Sequence, residues 1–275
     1  MFCERWGRAL LVVVLVASVA AFAGCGKRQA SEKTAENMME RTLEKATGEK
    51  TSVSKGVAAD SVIVGGINIL IPPPTAHFVE VGEEKRDLWQ VLTPTANRLV
   101  RVFVLSEERP RLNGDNPLSA ISVSGVVNTL RGGEAEDWTT NEFLEFVKSC
   151  QEAIGDTATL NVYSKELEDE LNRRITALGS DSLVVFGGMT PLGRFFSKED
   201  AYGFGLIVRG EGGGKASESA VGATAVRVRN RLLLLYLSAD YQGEETVRWL
   251  RSATEAWSDE VQKANASRPQ SSQQR

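Results

Sequence analysis

The chain has 275 residues, 42% of them apolar and 25% charged, with 32 basic and 36 acidic side chains and a formal charge of -4. It is too apolar to be wholly disordered and long enough for one or two cored domains. Its charge balance does not point to a nucleic-acid partner. A single histidine, His77, excludes sites built from two or more histidines, such as a zincin helix or a three-histidine zinc centre.

The first 24 residues read as an export signal. Arg5 and Arg8 supply the positive start, and Ala9 to Ala23 is an uncharged run rich in Val, Leu and Ala followed by Gly24 and Cys25. A secretory apolar segment spans roughly 7–15 residues, whereas a membrane-spanning helix needs about 20. Phe22-Ala23-Gly24-Cys25 resembles the lipobox of bacterial lipoproteins, with small residues at the two positions before the cysteine; Phe22 stands where that motif most often has Leu. The resemblance implies that residues 1–24 are removed and that Cys25 becomes the new N-terminus. Its thiol would carry a diacylglycerol and its amine a further acyl chain such as palmitate. The competing reading is an uncleaved N-terminal anchor with an incidental cysteine. Gly26, rather than Asp, follows the cysteine. By the sorting pattern of enteric lipoproteins this implies the outer membrane, facing the periplasm or the surface.

Removal of residues 1–24 takes Arg5, Arg8 and Glu4, leaving 30 basic and 35 acidic side chains. So mild an acidic balance does not favour adhesion to an anionic membrane by charge, and the lipid is expected to do the holding. Cys3 leaves with the signal and Cys25 carries lipid, so Cys150 is alone in the mature chain and no intramolecular disulfide is available to it.

After the anchor, residues 25–59 read as a lipidated N-terminus, a short helix over Ser31–Thr47 and a small, polar linker. Met38 or Met39, Leu43 and Ala46 form a thin apolar stripe, and Glu32–Glu36 and Glu40–Glu44 are like-charged pairs. Such a helix is marginal unless it docks. It is either a solvated stalk or a short segment that binds a partner.

From residue 60 to 265 the pattern is that of an α+β domain. Ser61–Val64 and Ile67–Ile71 flank Gly65-Gly66 as a hairpin, closed by Pro72-Pro73-Pro74. Phe78, Val79 and Val81 predict a short strand, and Glu83–Leu92 a helix stopped by Pro94. Asn97–Leu105 is apolar at nearly every position, which predicts a central strand covered on both faces. Leu118–Leu130 predicts another strand, interrupted by Gly125. Thr139 and Glu142 have capping-box spacing ahead of Phe143, Val147, Cys150 and Ile154, the apolar face of a helix ending at Gly155. Lys165–Leu178 predicts a further helix. Ser182–Phe186, Tyr202–Arg209, Val221–Arg229 and Leu232–Leu237 predict four strands, with a tip at Gly210–Gly214 and a tight turn at Asn230. Glu244–Ala264 predicts a closing helix. The tail, 266–275, is Ser, Gln, Pro and Arg, a composition of disordered segments.

Strands joined by short turns imply a mostly antiparallel sheet, and helices that must cover it imply a helix–sheet–helix sandwich. The element order is similar to that of the PsbP/Mog1 group, with Ile67–Pro74 as the proline-containing entry and Leu232–Ala264 as the closing strand-and-helix unit. The chain also resembles bacterial envelope lipoproteins. Neither resemblance brings a functional residue with it.

Five places hold residue types that carry chemistry. His77 is the one imidazole, in the loop after the prolines, but no nucleophile elbow selects its partner. Cys150 lies near the C-terminal end of its helix, where the dipole opposes a thiolate, so it reads as a small core side chain. Gly210–Lys215 lacks the phosphate-loop spacing, since Arg209 stands at the first glycine position and Ala216 at the hydroxyl position. Glu134, Glu136, Asp137 and Trp138 lack the alternation of a calcium loop and read as a solvated loop with an anchoring Trp. Met189–Phe196 reads as a loop whose Phe195 and Phe196 either pack in the core or form a docking patch. With no catalytic set, metal site or cofactor site assembled, the sequence points to a lipid-anchored, non-enzymatic interaction or assembly module with a protein partner in the envelope. The alternative is a periplasmic hydrolase whose site only the fold would assemble.

Overall fold

The computed structural model describes residues 61–114, 120–177, 184–212 and 215–266. The expectations for the signal, Cys25, the Ser31–Thr47 helix, the linker and the tail beyond Ala266 lie outside these residues. The chain enters through β1 (Ser61–Val64) and β2 (Ile67–Leu70), an antiparallel hairpin. Gly65 and Gly66 turn it with φ of +53° and +80°, values that glycine reaches without a Cβ clash.

The remaining seven strands form one antiparallel sheet: β3 (Phe78–Glu80), β4 (Asn97–Leu105), β5 (Val123–Leu130), β6 (Val184–Lys198), β7 (Ala201–Gly212), β8 (Lys215–Val228) and β9 (Arg231–Asp240). Their spatial order is β3-β4-β5-β9-β8-β7-β6. Among the described residues there are four α-helices: α1 (Glu83–Leu92), α2 (Thr140–Gly155), α3 (Thr157–Ala177) and α4 (Glu244–Ala266). The α+β class expected from the sequence is the class observed.

The sheet is covered on both faces, and alternate residues of each central strand serve different cores. Val102 and Val104 of β4, with Leu232, Leu234 and Tyr236 of β9, pack with Trp89 of α1, Phe143 and Cys150 of α2 and Leu167 and Leu171 of α3. Phe103 and Leu105, with Leu233, Leu235 and Leu237, pack with the β1–β2 hairpin and with Leu250, Trp257 and Val261 of α4. Strands buried on two sides have little room for a polar phase, which is why Leu99–Leu105 of β4, Arg101 excepted, and Leu232–Leu237 of β9 are apolar throughout.

The second core closes on Trp257. Its ring meets Phe103 edge-on at 6.0 Å, and its indole N–H donates to the carbonyl of Pro72 at 2.8 Å. The proline triplet is thereby drawn onto the sheet. Gly125 lets it approach, because a Cβ there would lie 2.8 Å from Pro74 Cγ. The glycine that interrupts the β5 pattern is thus a contact point.

Two expectations change. The segment Met189–Phe196 is not a loop: β6 runs from Val184 to Lys198, three times longer than Ser182–Phe186 allowed, and carries three register shifts against β7. It is an edge strand, so Pro191 removes no ladder bond on the outer side, and the bulges absorb its glycines. The second change is that α3 starts at Thr157 rather than Lys165. Asp156 caps it: its carboxylate accepts the Ala158 N–H at 3.0 Å and the Thr159 hydroxyl. Those bonds, the hydroxyl first, hold its carboxyl below the usual range.

Candidate functional site

The fold scatters the residues with chemical potential instead of gathering them. His77 is exposed between the proline triplet and β3, with its backbone N–H on Thr75 Oγ1 at 3.3 Å and its carbonyl accepting from the Ser106 N–H. Cys150 is buried on the inner face of α2, close to the phenols of Tyr202 and Tyr236. Both phenols are raised above the usual tyrosine value, first by burial and then by that thiol. Gly210, Glu211 and Gly212 end β7 opposite Ser217, Ala216 and Lys215 of β8, so this stretch is strand and hairpin and leads into no helix.

Phe195 and Phe196 are buried, so they form no exposed docking patch. Their rings lie on the faces of Gly205 and Gly203, the glycines of β7 that would otherwise leave gaps in the second core. Arg251 covers Phe195 from outside at 5.1 Å, and Lys198 covers Phe196 at 5.3 Å.

The acidic loop at 134–138 belongs to an ionic cluster at one end of the sheet. The turn between β8 and β9 puts Arg229 and Asn230 at φ of +51° and +62°, and flanks them with Arg227 and Arg231. Arg227 donates to Asp200 at 2.8 Å, Thr140 Oγ1 at 2.9 Å, Asn230 Oδ1 at 3.2 Å and the Trp138 carbonyl at 3.3 Å. Arg231 donates to the Asp137 carboxylate, the Glu136 carbonyl at 3.2 Å and the Gly65 carbonyl at 3.3 Å. Arg98 joins Glu134 at 3.3 Å and the Ile63 carbonyl at 3.3 Å. Trp138 is buried, its ring edge-on to Phe146 at 5.5 Å. A guanidinium presents five donors in a fixed fork, so it ties several carbonyls at once. The arrangement fastens the 131–139 loop and the β1–β2 hairpin to the sheet. The sequence reading missed it because Arg231 and Gly65 are 166 residues apart; the only local signal was Asn230, read as a turn.

A second cluster surrounds Glu108, a buried carboxylate in the turn after β4. It accepts from the Ser122 N–H at 3.0 Å, the Ser122 hydroxyl at 2.6 Å and the Val123 N–H at 3.4 Å, and pairs with Arg111 at 3.3 Å. Burial raises its carboxyl above the usual value against the pull of those partners. Among the described residues no group of three or more His, Cys, Asp and Glu is placed to hold a metal ion, and no helix is long and apolar enough to cross a membrane.

No family model matches the chain, and no curated protein matches it. Among solved structures it is similar to a mutant of the protein Mog1, at 14% identity and a TM-score of 0.31 over 76% of this chain and 94% of that one. It is similar to cyanobacterial PsbP from Synechocystis, at 12% identity and a TM-score of 0.32 over 77% and 96%. It is also similar to Mog1p, the Ran-binding protein of Saccharomyces cerevisiae, at 14% identity and a TM-score of 0.25 over 75% and 91%. Likenesses of this strength bring no residue, partner or activity to the chain.

Proposed function

We propose that this chain is a bacterial envelope lipoprotein tethered through Cys25, whose α+β body is a non-enzymatic interaction or assembly module. One observation carries the reading: the charged start at Arg5 and Arg8, the uncharged run Ala9–Ala23, and Cys25 directly after Ala23-Gly24. Each buried acyl methylene contributes about 0.8 kcal/mol, and one chain alone gives only marginal binding. Three chains on one residue make release negligible. Gly26 after the cysteine supports the outer membrane.

The body's reactive side chains are held in structural contacts. Cys150 is taken up by the core, Glu108 by two backbone N–H groups and a hydroxyl, and Asp137 and Asp200 by arginines. No observation among the described residues favours the hydrolase alternative.

The test is Cys25→Ser, expressed in a bacterial host supplied with labelled palmitate. The reading expects an unprocessed precursor without label. Normal processing and labelling of the variant would overturn it.

A further inference from the structure

We infer that the interior between the sheet and helices α1–α3 is a built site for bound water, made by Trp89, Asn97, Asn128, Ser164 and Tyr236. The inference stands apart from the lipoprotein reading.

The sheet register sets three of these residues on one face. Asn97 lies opposite Leu130, and Leu99 opposite Asn128; Leu99 and Leu130 both belong to the core under α1–α3. Asn128 lies opposite Leu234, and Val126 opposite Tyr236, again with Leu234, Val126 and Tyr236 in that core. Asn97, Asn128 and Tyr236 therefore run diagonally across β4, β5 and β9. Trp89 of α1 packs into the same core. Ser164 sits in the buried stripe of α3 between Leu160 and Leu167.

All five are nine-tenths or more buried. Trp89 Nε1, both amide atoms of Asn97 and of Asn128, Ser164 Oγ and Tyr236 Oη make no hydrogen bond to the protein. Such groups are rarely left without a partner in a folded protein. Their inventory is mixed. The indole only donates, each amide donates and accepts, and the two hydroxyls do both. Water is matched, because it donates and accepts and needs two to four polar partners. The strip also accounts for polar residues in strands that are otherwise apolar, such as Asn128 within Val126-Val127-Asn128-Thr129-Leu130.

The test is a crystal structure of the chain at a resolution that places water, with water-to-amide cross-relaxation measured by NMR on the same protein. The inference expects water within hydrogen-bond distance of the Asn128 amide and of at least one other group in the strip. It also expects cross-peaks from water to the side-chain amides of Asn97 and Asn128, and loss of the Asn97 cross-peak in Asn128→Leu. A dry seam, with the two amides bonded to each other or to backbone and no cross-peak, would overturn it. The NMR arm on the unaltered chain decides the matter if Asn128→Leu does not fold.

Discussion

The side-chain amide of Asn265 is bonded to both backbone groups of Leu70. Its oxygen accepts the Leu70 N–H at 2.9 Å and its nitrogen donates to the Leu70 carbonyl at 2.8 Å. A helix side chain thus stands in for a neighbouring strand and holds the β1–β2 hairpin against the end of α4. The hairpin belongs to a separate two-stranded sheet, so its place depends on such ties and on Val64 and Ile69 in the second core.

Asn265→Ala removes both bonds and exposes the edge of β2. Two lost side-chain-to-backbone bonds predict about 1–3 kcal/mol of destabilisation. Faster hydrogen exchange should be concentrated at Leu70 and its neighbours. Exchange followed by mass spectrometry checks this; a uniform rise over the whole sheet would show that Asn265 is not a local clasp.

Gly205→Ala tests the second core. A Cβ at this position falls inside the envelope of the Phe195 ring, and overpacking of this kind costs about 1–3 kcal/mol. Phe195→Ala removes the obstacle, so the effects of the two substitutions should be strongly non-additive in a denaturant-melt cycle. Additive effects would mean that ring and glycine do not meet.

The capping box of α2 predicts an acid-dependent term. Glu142 accepts the Thr139 N–H at 2.8 Å and its hydroxyl at 2.7 Å, and these bonds lower its carboxyl from the usual 4.5. A carboxyl lowered by folding contributes stability above its unfolded value that is lost as pH falls through the folded one. Thr139→Ala should lower stability at neutral pH and shrink this acid loss, as measured by helical circular dichroism during an acid titration.

Glu108 has the opposite sign. Its carboxyl is raised from 4.5, chiefly by burial. Its contribution to stability is present below that value and is lost as pH rises through the folded one. Glu108→Gln keeps an acceptor without the charge, so wild type should lose stability relative to the variant as pH rises through the range above 4.5. Urea midpoints across that range measure the difference; a pH-independent gap would contradict the buried carboxylate.

The elements most legible in the sequence were those whose signals are local. Gly65-Gly66, the Thr139–Glu142 box and the nearly continuous apolar run of β4 each carry their cause within a few residues. The start of α3 was missed because Asp156 follows the Gly155 stop at once, and a stop beside a cap reads as one break. β6 was misread because Gly187, Gly188, Pro191 and Gly193 are breakers in a central strand and tolerated at an edge. Edge position depends on the partner strand and is not local. The arginine cluster and the polar strip were illegible for the same reason, since their members meet only through sheet register.

The lipid on Cys25 is the claim on which the functional account rests, and the mass of the N-terminal peptide from protein purified out of native membranes tests it most directly. The account predicts a chain that begins at Cys25 and carries a diacylglycerol and an acyl chain. A bare thiol at that position, or a mature chain that begins elsewhere, would contradict it.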